Sequence, residues 1–171
     1  MSSLSEIQTR FVTAIRDRGQ PPPVDIVGRD GEIVTLTLSR PERRNPLSVE
    51  AMTALRDGLR EAAAAPAVRA VIIGPEGPVF SAGHDLRELA AADAASHERI
   101  FGLCTELMLT VHRLQVPVIA RVQGLATAAG CQLVAACDLA VASRTAAFAT
   151  PGVRIGLFCT TPMVEVLRAV G

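Results

Sequence analysis

The chain has 171 residues, enough for one domain with a proper core, and nearly half of them are apolar. Its 17 Lys and Arg balance its 17 Asp and Glu, which argues against a nucleic-acid-binding electrostatic footprint. Pro, Gly, Arg or Asp interrupts every long apolar stretch, so no membrane-spanning helix is expected. The N-terminus has no secretory apolar core. Arg10, Arg16 and Arg18 among several serines suggest a mitochondrial transit peptide, but Glu6 and Asp17 do not suit one. The expected compartment is the cytoplasm, or the mitochondrion in a eukaryote. Cys104, Cys131, Cys137 and Cys159 form no C-x-x-C pair and read as buried, reduced thiols. With three scattered histidines, no metal site is expected.

In chain order, Leu4, Ile7, Phe11 and Ile15 predict an amphipathic helix over residues 3–18. Pro21-Pro22-Pro23 breaks it, so residues 1–23 read as an extension and 24–171 as the core domain. Val24 to Val27 and Glu32 to Leu38 predict a hairpin around Gly28 to Gly31. A loop with three arginines, Arg40, Arg43 and Arg44, follows. Ser48 is the expected N-cap of a helix with Val49, Met52, Leu55 and Leu59 on its apolar face. Val68 to Ile73 reads as a buried strand. It leads into Gly77 to Leu86, a small-residue turn that opens a further helix. A long helix is expected over roughly His97 to Leu114, then a strand from Val116 to Val122. Gln123 to Gly130 is a second small-residue turn, opening a helix through Cys137. Asp138 to Ala142 is the next strand. Phe148 to Leu157 reads as strand and loop, and a last helix starts near Thr161 or Pro162. Buried-looking strands alternating with helices imply an α/β fold with parallel sheets.

Two turns, at Gly83-His84 and Ala129-Gly130, bring small residues to helix N-termini. Such ends carry unpaired N–H groups and partial positive charge. Together they could hold one oxyanion; separately each could be no more than a tight connection. Glu165 and Asp138 are the nearest acids in this half, and read as a surface helix residue and a strand-start residue. A serine hydrolase built on Ser81 would need Gly-x-Ser-x-Gly, and Val79 stands where the first glycine belongs.

Phe80-Ser81-Ala82-Gly83-His84-Asp85-Leu86, Pro117 to Ala126, and Ala129 to Asp138 occur in order, with Arg40 to Ser48 before them and Ala149-Thr150-Pro151-Gly152-Val153 after them. In these blocks the chain resembles the crotonase (enoyl-CoA hydratase/isomerase) superfamily, over about Val24 to Gly171. The resemblance implies a spiral of ββα units with parallel sheets. It implies an acyl-CoA thioester as ligand, in fatty acid or lipid metabolism, with coenzyme A as part of the substrate and no other cofactor. It also implies a homotrimer or a dimer of trimers. By the same resemblance the backbone N–H groups of His84 and Ala129 would form an oxyanion hole. Ser81, Ala82, Gly83, Asp85 and Leu86 would wrap adenine and pantetheine, and Arg43 and Arg44 would lie near the CoA phosphates. Ala126, Gly130, Pro151 and Leu157 complete the expected binding residues.

Two departures from the family matter. Its hydratases use two glutamates, and Gln132 and Gly152 stand in their places; neither can transfer a proton as a carboxylate does. The chain also ends where family members continue into further helices, so a fragment lacking the usual C-terminal helical part is expected. Isomerisation, decarboxylation, thioester hydrolysis and non-catalytic CoA-thioester binding all remain open readings.

Overall fold

The computed structural model describes residues 23–29 and 32–170. The helix expected over residues 3–18 lies outside the described residues. The hairpin is present: β1 (Val24–Arg29) pairs antiparallel with β2 (Ile33–Leu38). In β2 the alternation does what the sequence dictates, with Val34, Leu36 and Leu38 buried and Thr35 and Thr37 between them partly exposed.

After β2 the chain forms a spiral. Helix α1 (Val49–Ala64) leads to β3 (Ala70–Pro75) and β4 (Val79–Ser81), then to the helices α2 (Leu86–Ala91) and α3 (Ala94–Arg113). Next come β5 (Val118–Val122), β6 (Leu125–Thr127) and α4 (Ala129–Ala136). Last come β7 (Leu139–Ala142), β8 (Ala147–Ala149), a 3-10 turn over Pro151–Ile155 and α5 (Thr160–Val170). Each ββα turn contributes one strand to each of two sheets. One sheet has the order β1-β2-β3-β5-β7 and the other β4-β6-β8. Apart from the β1–β2 hairpin every pairing is parallel.

Several expectations need correcting. The small-residue turn at 123–130 contains a strand, β6, which pairs with β4 and β8 and is too short to show a periodicity. The strand expected over Val68 to Ile73 lies two residues later. Val49 is exposed, whereas Met52, Leu55 and Leu59 are fully buried; the first residue of α1 overhangs the core. β7 and β8 are not buried: Leu139, Val141 and Phe148 are all about half exposed or more, because among the described residues little packs over these side chains. Glu165 is not a surface residue. It is buried, and its Oε2 lies 2.9 Å from His112 Nε2 on α3. Pro162 and Glu165, three apart, form the inner stripe of α5.

The core is packed between α1, α3 and the inner faces of β2, β3 and β5, with Phe80 of β4 fully enclosed. Ser48 caps α1 by accepting the Ala51 N–H at 3.1 Å, as its position before the apolar run suggests. The arginine loop is fixed by Asn45. Arg44 and Asn45 both have left-handed φ, 63° and 49°. Asn45 is buried, accepts the Arg40 N–H at 2.8 Å, and donates Nδ2 to the carbonyls of Glu76 (3.0 Å) and Val79 (2.8 Å). One side chain thus ties the loop to the β3–β4 connection. Removing it takes away all three of these hydrogen bonds. Asn45→Ala is expected to lower unfolding stability by about 2–3 kcal/mol in a denaturant titration. A change below about 0.5 kcal/mol would show that the loop is held by something else.

Candidate functional site

The two small-residue turns lie against each other. Gly83, with φ 88°, is the contact point: a Cβ there would fall 3.0 Å from Ala128 Cβ, 3.0 Å from the Thr127 carbonyl oxygen and 3.2 Å from Ala129 N. On the other side, a Cβ at Gly130 would fall 2.6 Å from the Ser81 carbonyl oxygen and 2.7 Å from Ser81 Cβ. Two hydrogen-sized side chains therefore allow the β4–α2 and β6–α4 connections to meet. The first turn is also pinned from outside. Leu47 N–H donates to the Gly83 carbonyl at 2.8 Å and Ala82 N–H to the Arg44 carbonyl at 3.0 Å.

Ala129 is the first residue of α4, so its N–H has no partner within the helix. Among the described hydrogen bonds none is donated by the N–H of His84 or of Ala129. Ala128, just before, has φ 50° and ψ −122°, a conformation that an alanine adopts only under constraint. The constraint is visible: Ala128 N–H donates to the Ala149 carbonyl of β8 at 2.9 Å. The residue that leads into α4 is thus held from β8.

The other expected residues fall into two groups. Ser81, Gly83, Asp85, Ala126, Ala129, Gly130, Gln132 and Gly152 are buried, so several of them support the site from within. Ser81 Oγ accepts the Gly83 N–H at 3.2 Å and points inward, away from any role as an exposed nucleophile. Ala82, Leu86, Arg44, Pro151 and Leu157 are exposed. Beside His84 is a cleft of about 280 Å³, lined by Arg43, Ala82, Asp85, Leu86 and Arg87 among others. Arg44 does not line it. Arg43 does, and its guanidinium is paired with the buried Asp85 carboxylate at 2.5 Å. Asp85 also caps α2 through the Arg87 N–H at 3.0 Å. Burial pushes the His84 imidazole below its ordinary pKa, against a smaller upward pull from the Leu47 backbone. Its Nδ1 is buried without a hydrogen-bond partner, and its ring meets Phe101 of α3 edge to face, 5.3 Å between centroids.

At the far end of α4, Gln132 is buried and its Oε1 accepts from Thr161 Oγ1 at 3.3 Å. Gly152 has no room for a side chain. A Cβ there would fall 2.7 Å from Cys159 Sγ and 2.7 Å from the Leu157 carbonyl oxygen. Among the described residues no group of three or more His, Cys, Asp or Glu could hold a metal ion.

Sequence reasoning missed Asn45, Arg87, Phe101, Cys159 and Thr161. Asn45-Pro46 was a turn signal that could have drawn attention to Asn45. The other four are brought in by packing between elements remote in sequence, and nothing local marks them.

The comparisons agree with this geometry. The family model described as enoyl-CoA hydratase/isomerase matches residues 28–171. The chain is 47% identical over 153 residues to the mitochondrial enoyl-CoA hydratase domain-containing protein 3 of Danio rerio, covering 89% of this chain and 53% of that protein. With the human protein of that name it is 46% identical over 156 residues, covering 91% and 51%. The chain thus spans about half the length of the curated relatives it matches. The wording of the Gly77–Leu86, Gly124–Leu133 and Phe148–Val153 blocks points to the same subgroup. Among solved structures, an enoyl-CoA hydratase of Mycobacterium smegmatis superposes with a TM-score of 0.85 at 48% identity, covering 88% of this chain and 59% of that one. The crystal structure of the human domain-containing protein 3 gives 0.82 at 47%, covering 85% and 58%. With two turns joined at Gly83, a ββα spiral and a family match over residues 28–171, the chain belongs to the enoyl-CoA hydratase/isomerase family.

Proposed function

We propose that this chain binds an acyl-CoA thioester at the paired turns, and that it does not hydrate it. The observation that carries the reading is the contact of Gly83 with Thr127, Ala128 and Ala129, which sets two strand-to-helix turns side by side. In this reading the N–H groups of His84 and Ala129 converge on the thioester oxygen and stabilise enolate-like charge. A single donor of this kind is worth about 2.7–4 kcal/mol of barrier in other enzymes. The cleft beside His84 takes the pantetheine and adenine. Arg43 and Arg87 supply cationic charge for the phosphates. The role belongs to fatty acid or lipid metabolism, in the mitochondrion if the source is eukaryotic. The nearest alternative is a non-catalytic CoA-thioester-binding protein, which the amide at Gln132 and the filled space at Gly152 favour.

The hydration step needs a carboxylate to activate water and another to deliver a proton. Gln132 does neither, and Cys159 Sγ and the Leu157 carbonyl occupy the space at Gly152. Calorimetry is expected to show CoA and acetyl-CoA binding. A crotonyl-CoA assay is expected to show hydration slower by about 10²–10⁴ than in a relative with the acid–base pair. Hydratase-level turnover would refute the reading, and so would a failure to bind CoA.

Gly83→Ala tests the geometry directly. The added methyl meets the opposite turn and carries a positive φ. Weakening of acetyl-CoA binding by at least about tenfold is expected, in a protein that still melts cooperatively. Unchanged affinity would mean that the turns do not form the binding surface.

Leu139, Val141, Phe148 and Phe158 expose apolar surface on the last ββα turn. A homotrimer that covers such a face is part of this reading. Sedimentation velocity should show a trimer at micromolar concentration, and a monodisperse monomer would count against the assembly.

A further inference from the structure

We propose that Asp85 is a positioning residue for the phosphate end of the ligand, acting through Arg43 and not by touching the ligand. This rests on the thioester-binding reading. It gives Asp85 a different part from the expected contact with adenine or pantetheine.

Asp85 is only 7% exposed. A carboxylate so buried is costly unless its charge is balanced and its oxygens are bonded. Both oxygens are engaged by the protein. Oδ2 receives Arg43 Nη2 at 2.5 Å, and Oδ1 accepts the Arg87 N–H at 3.0 Å.

Arg43 reaches this carboxylate from 42 residues earlier in the chain, at the end of a 3-10 turn over Pro41–Arg43. The turn is itself fixed: the Arg43 N–H donates to the Arg40 carbonyl at 3.1 Å, and the Arg44 N–H to the Pro41 carbonyl at 3.0 Å. A long side chain on a loop loses rotamer freedom when a ligand immobilises it, and that loss weakens binding. Pairing with Asp85 orders Arg43 beforehand. The Arg43 side chain keeps about a third of its surface, and its bond to Asp85 is made by Nη2 alone. A guanidinium has five donors in a rigid fork, so one anion can orient it while another is bound. Arg43 and Arg87 line the same cleft. One buried carboxylate therefore fixes the guanidinium of the first and the backbone of the second.

Two effects of Asp85 oppose each other. Its negative charge repels a phosphate, and its hold on Arg43 favours one. At contact distance the charges of the pair largely offset each other at longer range. A phosphate that drew Arg43 away would leave the Asp85 carboxylate buried and unpaired, which is strongly unfavourable. Arg43 thus serves the phosphate while it stays on Asp85, and the ordering effect prevails.

Asp85→Asn tests this, since asparagine keeps the size and the cap to Arg87 but not the charge. Wild type and variant are titrated by calorimetry with acetyl-CoA and with S-acetylpantetheine, which carries no phosphate. The variant is expected to bind acetyl-CoA at least about fivefold more weakly, with the S-acetylpantetheine affinity changed less than about twofold. Should Asp85→Asn fail to melt cooperatively, Arg43→Lys carries the test, because it keeps a charge opposite Asp85 and loses the fork. The same selective loss is expected of it. Equal losses for both ligands would make the pair merely structural. Tighter acetyl-CoA binding by Asp85→Asn would make the carboxylate a competitor of the phosphate. Either outcome, or an unchanged acetyl-CoA affinity, overturns the role of Asp85 while thioester binding stands. If acetyl-CoA does not bind the wild-type chain, both readings fall.

Discussion

The candidate site depends on one steric constraint: two chain turns must touch, and they can do so only where side chains are absent. Gly83 meets Ala128 and Ala129, and Gly130 meets the backbone of Ser81. Everything around these contacts holds them in place. β4 and β6 pair in parallel beneath the turns, Leu47 and Arg44 pin the first turn, and Ala149 pins the second. The result is a pair of adjoining turns whose position is set by the sheets.

The same scaffold shows how chemistry separates from fold. The donors at the turns come from backbone, which tolerates a change of neighbouring side chains. Proton transfer comes from side chains and does not. Gln132 keeps the size of a glutamate without its charge, and it is bonded to Thr161 rather than left vacant. At Gly152 the room for a side chain is taken by Cys159 and Leu157. The fold match extends over most of this chain, and a shared fold does not by itself fix a reaction.

The alternation in β2, the N-cap at Ser48 and the two glycine turns were legible because each is a local pattern with a local cause. Most helices and strands followed from such patterns to within a few residues. β6 was not legible, since three residues carry no period and its existence depends on pairing with β4 and β8. Nor was Glu165, whose burial is decided by His112 more than fifty residues away. At the site, the turns were visible in the sequence. The filling of Gly152 by Cys159 was not, because glycine spacing says nothing about which side chain will occupy the space it leaves.

The bond from Ala128 to Ala149 has a consequence for how the second turn is oriented. Ala128 leads into α4, yet the carbonyl that holds its strained backbone belongs to β8, in the next ββα turn. Local preference alone would let Ala128 relax to negative φ. Orientation of the second turn is therefore a long-range property, dependent on a contact from the C-terminal side.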